Sequence, residues 1–278
     1  MNARLLFILL LFTIGALWYI IGYWRRKAGE AAFAAARLTE KSEERERYCR
    51  LAVMAGHRKA CRMFCLLHPE RFDGHSPHKP FKLRGIRISF YGYYYPSRYN
   101  ALLNDEQKAF CHSIYQFKQG DIHGIEFFKT CMNALQLKKR PYHIMFMPCS
   151  NWIKYGQRFK RLDWYIGKHR QDLTSGLYDV DICDARESLH EAKGGEKRIL
   201  ERNYLITGKI KGKEIIIIDD VLTTGQSVVD YKEEIERCGG KVVAAIFYGK
   251  TFSMPSMLLV QIHVWGNHIA HIIERMTK

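Results

Sequence analysis

The chain has 278 residues, of which 47% are hydrophobic, and it carries a formal net charge of +16 at pH 7. This length is sufficient for one α/β core of roughly 130 to 200 residues and a smaller accessory region. The basic charge suits nucleic acid, an anionic membrane surface or a polyanionic small substrate, but the cations are scattered, which disfavours a dedicated nucleic-acid groove. The eight cysteines include no C-x-x-C pair, which argues against a zinc ribbon or a dense disulfide framework.

The N-terminal segment suggests a membrane anchor. Residues 5–24 contain no charge, and about 20 helical positions match the hydrocarbon core of a bilayer. Arg25, Arg26 and Lys27 follow at once, so the positive-inside rule places the remaining chain in the cytoplasm. A cleaved signal peptide is the alternative, but its basic cluster would lie on the wrong side. We therefore predict a single-pass anchor over residues 1–27, followed by a cytoplasmic domain.

Residues 28–72 are predicted to be helical. Within them Ala52, Gly56, His57 and Ala60 fit the pattern A-x-x-x-G-H-x-x-A, which resembles a Sel-like helical repeat. Only one copy is visible, and a solenoid needs about three stacked units, so the pattern predicts one helical hairpin. His57 shares a helical face with Cys61 and Cys65 and could form a metal site with them, but simple packing of small residues is the favoured interpretation.

The remaining pattern is that of an α/β domain. Residues 73–81 have turn composition and are predicted to be a linker, residues 82–95 alternate like a strand or hairpin, and residues 104–137 have helical periodicity. Four short apolar runs follow, at residues 143–147, 214–218, 242–247 and 258–264. Continuous apolar character indicates strands covered on both faces, as in a parallel sheet. We therefore expect one domain over residues 82–278, with its core at about 140–252.

The most informative segment is residues 215–227, which read I-I-I-I-D-D-V-L-T-T-G-Q-S. The pattern predicts a buried strand, then the acids Asp219 and Asp220, a glycine-containing loop and a helix. Its loop consists of Thr223, Thr224, Gly225, Gln226 and Ser227. Such a loop lies at the carboxyl end of its strand, where amides at a helix N-terminus can bind a phosphate. Two adjacent carboxylates are costly unless something binds them, and ribose hydroxyls or a hydrated Mg²⁺ are suitable partners.

This segment resembles the fingerprint by which type I phosphoribosyltransferases bind phosphoribosyl pyrophosphate (PRPP). The resemblance implies a Rossmann-like parallel sheet and a reaction at the anomeric carbon of PRPP. It also implies that Asp219 and Asp220 hold the ribose hydroxyls and that residues 223–227 hold the 5′-phosphate. Mg²⁺ would bind through the pyrophosphate, with no ligand directly from the protein. The acceptor base would lie under a hood, formed here by residues 81–99 and a C-terminal strand.

Further residues resemble the ComF-like branch of this family. Pro148 ends the first buried strand, Arg158 and Phe159 match part of an R-G-F-N segment, and Arg202-Asn203 match a later arginine-asparagine pair. This resemblance implies a pyrophosphate loop that includes Cys149 and Ser150, with Arg158 nearby.

Two functions remain open from the sequence. The first is a membrane-anchored phosphoribosyltransferase that uses PRPP, Mg²⁺ and an unidentified base. The second is a non-catalytic sensor or partner protein that binds PRPP or a nucleotide and is linked to DNA uptake, as the ComF-like resemblance implies. A purely structural adaptor would leave the two acids unexplained. A homodimer is left open.

Overall fold

The computed structural model describes residues 3–120, 123–182 and 203–277. They form two compact units. The helical unit extends to Gly74 and includes Ala101–Leu103 and the segment from Ser253 onward, whereas the α/β unit comprises His75–Asn100 and Asn104–Phe252. The change between units therefore falls within the predicted linker, but the end of the predicted domain 82–278 belongs to the helical unit.

The helical unit is built around small buried side chains. Its helices are α1 Ala3–Leu38, α2 Ser42–Met54, α3 Arg58–Leu67, α4 Pro69–Asp73 and α9 Met257–Met276. Ala36, Ala52 and Ala60 are fully buried, which allows the helices to approach closely. Phe64 is also buried, and its ring lies 6.1 Å from that of Phe72. The α2–α3 hairpin occupies the segment with the Sel-like pattern, and the assignment to that repeat family stays a prediction.

His57, Cys61 and Cys65, the possible metal site of this hairpin, have capping and packing roles in the structure. His57 is the N-cap of α3, where its Nδ1 accepts a hydrogen bond from the amide of Ala60 at 3.2 Å. Cys61 and Cys65 are buried, and burial raises the pKa of both thiols, to about 12 for Cys65. Within the described ranges, no cluster of three or more His, Cys, Asp or Glu side chains could hold a metal ion.

The prediction of a membrane span over residues 5–24 is wrong. Helix α1 has 36 residues, yet none of the helices in residues 3–120, 123–182 and 203–277 combines the length and the apolar character needed to cross a bilayer. The anchor over residues 1–27 and the single-pass location with a cytoplasmic domain are thus not supported.

The α/β unit contains a six-stranded sheet with the strand order β1-β2-β8-β7-β3-β4. The strands are β1 Phe81–Leu83, β2 Ile86–Tyr94, β3 Tyr142–Phe146, β4 Leu173–Ser175, β7 Glu214–Leu222 and β8 Lys241–Thr251. All neighbours are parallel except β1 and β2. A separate antiparallel pair is formed by β5 Val180–Ile182 and β6 Tyr204–Ile206. The predicted α/β class with a mostly parallel sheet is therefore confirmed.

Helices cover both faces of the central strands. They are α5 Asp105–Lys118, α6 His123–Leu135, α7 Trp152–His169 and α8 Gln226–Arg237, and a 3₁₀ turn spans Ser97–Leu102. Ile216 and Ile218 of β7 share one buried cluster with residues of α5, α6 and α7. On the opposite face, Ile215 and Ile235 of α8 both approach Gly240. This two-sided burial explains why β7 is continuously apolar.

The C-terminal strand predicted at residues 258–264 is wrong, because that segment is part of α9. Ser256 caps the helix by accepting a hydrogen bond from the amide of Leu259 at 3.4 Å. Val260 and Val264 are buried, whereas Leu258 and Leu259 are exposed, which is the spacing of a helix. A short apolar run fits either a covered strand or one face of a helix, and the helix here continues to Met276. The predicted hood therefore lacks this strand.

Candidate functional site

The candidate site lies at the carboxyl edge of the parallel strands. Phe146 of β3 pairs in register with Ile218 of β7, and the amide of Met147 donates to the Ile218 carbonyl at 2.9 Å. The segment after β3 therefore lies beside Asp219 and Asp220, which continue β7. This is the edge at which ligands bind in open α/β sheets.

The two acids are buried and oriented by the backbone. Asp219 is 9% exposed and Asp220 is 8% exposed. The amide of Asp220 donates to Asp219 Oδ1 at 2.7 Å, and the amide of Val221 donates to Asp220 Oδ1 at 2.6 Å. Each carboxylate is thus fixed by the residue that follows it, which leaves its second oxygen for another partner.

Two cations from different helices face this acid pair. Arg158 of α7 places Nη1 2.9 Å from Asp220 Oδ2 and 3.7 Å from Asp219 Oδ1. Lys118, the last residue of α5, places Nζ 3.2 Å from the same Oδ2 of Asp220. The structure therefore brings the predicted Arg158 to the acids, together with a lysine that the motif did not indicate.

The acids do not behave alike on titration. Burial and the charge of Asp220 raise the pKa of Asp219. Burial also opposes ionisation of Asp220, but Arg158 and Lys118 outweigh it and lower its pKa. Asp220 is therefore the ionised member, and the second negative charge at Asp219 is the costly one.

The loop after β7 has the geometry of an anion site. Gly225 has φ of 77° and is the N-cap of α8. Thr223, Thr224 and Ser227 are exposed. The first amides of a helix have no partner within the helix and carry partial positive charge. Of these, the amide of Gln226 approaches Thr224 Oγ1 at 3.4 Å. These amides and hydroxyls can together bind a phosphate.

Gln226 contributes to this loop by its backbone only. Its side-chain Oε1 accepts from Arg84 at 2.6 Å, and its Nε2 donates to Asp230 at 2.6 Å. Gly225 is required for a second reason besides its positive φ, because a Cβ there would lie 2.2 Å from Leu83 Cδ2. Strand β1 therefore fits closely against the loop.

The loop between β3 and α7 contains the predicted Cys149 and Ser150. Cys149 is buried, and burial raises the pKa of its thiol to about 12, so it is a neutral group. Asn203 donates from Nδ2 to the carbonyls of Cys149 and Ser150 at 3.2 and 3.3 Å. Asn151 caps α7 by accepting from the amide of Lys154 at 2.9 Å. The neighbouring Arg202 lies outside the described residues.

Sequence reasoning missed two features near the acids. No local sequence motif indicates that Lys118 belongs to the site, since it precedes the acids by about 100 positions. Its neighbours in the sequence indicate only a basic residue in the last turn of a helix. The hydroxyls of Tyr94 and Tyr115 lie 3.0 Å apart, and Lys118 Nζ lies 6.0 Å from the centre of the Tyr115 ring. Burial and the Tyr115 hydrogen bond raise the pKa of Tyr94. The site therefore extends to the carboxyl end of β2.

The donor set suits a divalent cation only indirectly. The two carboxylates offer the hard oxygens that Mg²⁺ prefers, but they already face a guanidinium and an ammonium group. The described residues give no third acidic or imidazole ligand beside them. A Mg²⁺ ion whose coordination is completed by pyrophosphate and water fits this arrangement, whereas a bare protein-bound ion does not.

Comparisons with known proteins agree with this chemistry. Residues 171–251 match the family model for the phosphoribosyl transferase domain. The chain is 42% identical over 57 residues to an orotate phosphoribosyltransferase of Sulfolobus acidocaldarius, an alignment that covers 20% of this chain and 26% of the relative. The chain thus spans about a quarter of the length of that curated relative. These matches show that residues 171–251, which include the acid pair and the loop of residues 223–227, are similar to a phosphoribosyl transferase domain, as the motif predicted.

Proposed function

We propose that this protein binds PRPP together with Mg²⁺ and transfers the phosphoribosyl group to or from a nitrogen heterocycle. The observation that supports the proposal is that Asp219, Asp220 and the loop of residues 223–227 lie together at the carboxyl edge of the sheet. Two carboxylates accept hydrogen bonds from vicinal hydroxyls, and a helix N-terminus binds a phosphate. The acids lie near the end of β7 and the loop follows directly, so the two groups can contact the hydroxyls and the phosphate of one ribose 5-phosphate.

In the proposed reaction, the bond between C1 of the ribose and the pyrophosphate oxygen breaks, and the pyrophosphate leaves with the electron pair. A ring nitrogen of the base forms the new bond to C1, and its proton passes to solvent. Mg²⁺ would neutralise charge on the pyrophosphate. The protein's contribution is to hold the sugar by Asp219 and Asp220 and the phosphate by the loop, so that positioning and charge stabilisation lower the barrier.

The site contains no activated nucleophile among its described residues. The thiol of Cys149 lies in the loop after β3, and burial raises its pKa to about 12, so it stays protonated. A direct displacement at C1 needs no covalent intermediate, and the chemistry therefore suits the residues present. The ComF-like assignment, the link to DNA uptake and a homodimer remain predictions that this proposal does not require.

The test is calorimetric titration of the full chain with PRPP and Mg²⁺. We expect the double variant Asp219→Asn/Asp220→Asn to bind PRPP about 100-fold more weakly, since two charge-assisted hydrogen bonds are weakened. The matched control is Asp105→Asn/Asp172→Asn, which removes the same charge from two exposed acids of the same unit. Equal binding by the wild type and the double variant would refute the site.

Transfer is tested separately by measuring pyrophosphate release with a panel of bases. Orotate belongs in this panel because the Sulfolobus relative is named an orotate phosphoribosyltransferase. Release with one base would establish the enzyme. PRPP binding without release for every base would instead support the alternative of a protein that binds PRPP as a sensor.

A further inference from the structure

The acid pair is occupied by the protein's own cations. Asp220 Oδ2 contacts both Lys118 Nζ at 3.2 Å and Arg158 Nη1 at 2.9 Å. Asp219 and Asp220 use an Oδ1 atom each for a backbone amide. A ribose hydroxyl that approaches Asp220 must therefore compete with a cation for the remaining oxygen.

The two cations are held differently. Lys118 stands at the end of α5, and its side chain is 35% exposed, so it can swing toward solvent. Arg158 lies within α7 with a side chain that is only 16% exposed, and its buried Nε has no hydrogen-bond partner among the described residues. Arg158 therefore has donor capacity in addition to its bond with the acids.

We propose that Lys118 and Arg158 are displaceable counter-ions that make the site select ligands with a second anionic group beyond the 5′-phosphate. Ribose hydroxyls would take their place on the acids, and the released cations would bind the second anion. This inference rests on the proposed function. It adds Lys118 as a ligand-binding residue and gives a role to the two cations that compensate the charge of Asp220.

The consequence is a difference between two ligands. Ribose 5-phosphate must separate Lys118 from Asp220 but offers the lysine no new partner at the anomeric end. PRPP separates the same pair and supplies a pyrophosphate in return. A lysine that serves only to stabilise the fold would affect both ligands in the same direction, so the sign of the change distinguishes the two roles.

The experiment compares Lys118→Met with the wild type in titrations with each ligand in the presence of Mg²⁺. We expect Lys118→Met to bind ribose 5-phosphate about threefold to tenfold more tightly and PRPP about tenfold more weakly. Lys118→Arg should restore most of the PRPP affinity. Lys108→Met removes a lysine from the same helix that pairs with the exposed Asp105, and it should change neither affinity by more than about twofold.

A second measurement uses the wild type alone and so does not depend on how a variant folds. Inorganic pyrophosphate with Mg²⁺ should increase the affinity for ribose 5-phosphate about tenfold, and ribose 5-phosphate should increase that for pyrophosphate by the same factor. Independent binding of these two ligands, or equal weakening of both sugar phosphates in Lys118→Met, would overturn the inference. PRPP binding that is insensitive to Asp219→Asn/Asp220→Asn would instead refute the proposed function itself.

Discussion

The two edges of the parallel sheet bury charge in opposite ways. At the amino edge, His143 of β3 is 3% exposed and sits between Thr174 and Asp179. At the carboxyl edge, Asp219 and Asp220 are also buried, and the charge of Asp220 opposes a second negative charge on Asp219. The first group is satisfied by uncharged and acidic neighbours, whereas Asp220 is compensated by the cations Lys118 and Arg158.

The amino edge shows what a structural polar cluster looks like. His143 Nδ1 lies 2.7 Å from Thr174 Oγ1, and Nε2 lies 2.6 Å from Asp179 Oδ2. A neutral ring fits both contacts by accepting from the hydroxyl and donating to the carboxylate. The carbonyl of Asp179 also accepts the amides of Thr207 and Gly208 at 2.9 and 3.1 Å. Each of these hydrogen bonds joins two groups of the fold, so the cluster fixes loops and its polar atoms are not available to a ligand.

The contrast shows that burial alone does not mark a binding site. A buried group with complementary neighbours is stabilising, but adjacent like charges are costly and persist where something binds them. Substitutions at the carboxyl edge should therefore change the free energy of unfolding differently from substitutions at the amino edge.

The largest expected effect is the difference between Asp220→Asn and Asp219→Asn. Asp220→Asn removes the main counter-ion of Arg158 and Lys118 and should lower the free energy of unfolding by about 3 kcal/mol. Asp219→Asn replaces an acid whose ionised form burial and Asp220 disfavour, so it should not lower the free energy of unfolding at pH 7 and should raise it. Urea denaturation of both variants at pH 7 measures this, and equal losses would contradict the asymmetry.

The pH dependence gives a second readout of the same pair. The raised pKa of Asp219 means that the folded state holds a proton that the unfolded state has already lost above the ordinary value of about 4. This contribution to stability is present at low pH and is lost as pH rises through the folded pKa. Asp219→Asn should abolish that loss, whereas Asp105→Asn, at a fully exposed acid, should not.

At the amino edge we expect an effect on stability but none on ligand binding. Burial and the charge of Lys213 lower the pKa of His143, so the unfolded chain takes up a proton first as pH falls below its ordinary value of about 6.5. Stability from this group is therefore present at higher pH and is lost on acidification. His143→Gln should lower the free energy of unfolding by about 2 kcal/mol at pH 7. It should also reduce the loss of stability on acidification.

The matched control for His143→Gln is His112→Gln, at an exposed position of α5. It should leave both the free energy of unfolding and its pH dependence unchanged. PRPP affinity should stay within about twofold of the wild type for both variants. A large loss of PRPP binding in His143→Gln would show that the two edges are not separable in function.

The same contrast explains what the sequence could predict. Strands β3, β7 and β8 were predictable because each is covered on both faces and so is continuously apolar. The acids and the loop were predictable because they are consecutive in the chain and their chemistry is local. The run at residues 258–264 was misassigned because a seven-residue segment with five apolar residues fits a strand and a helix equally well.

Long-range contacts could not be predicted. Lys118 reaches Asp220 only because α5 ends at the carboxyl edge of β7, and nothing in its own segment indicates that position. Asn203 belongs to the arginine-asparagine pair of the sequence, but its hydrogen bonds to the carbonyls of Cys149 and Ser150 depend on where β6 lies. Residue types were visible from the sequence, while their partners depended on packing.

The smallest expected effect compares two glycines at opposite ends of β7. Gly212, before the strand, has φ of 76°, and Gly225, after it, has φ of 77°. A Cβ at Gly212 would meet nothing within 4 Å, whereas one at Gly225 would lie 2.2 Å from Leu83 Cδ2. Alanine at either position is strained by the positive φ and should cost about 1 kcal/mol, and Gly225→Ala should cost somewhat more because of Leu83.

If residues 223–227 bind the phosphate as proposed, only Gly225→Ala should also weaken ribose 5-phosphate binding, by about tenfold, because the amides of this loop shift with it. Adding Leu83→Ala should recover part of the lost stability, since it removes the close contact, but not the part caused by φ. Titration and urea denaturation of the two single variants and the double variant measure this. If Gly212→Ala weakened ribose 5-phosphate binding as much as Gly225→Ala, the loop after β7 would have no special role. A turn at the amino edge could affect binding only through the stability of the fold.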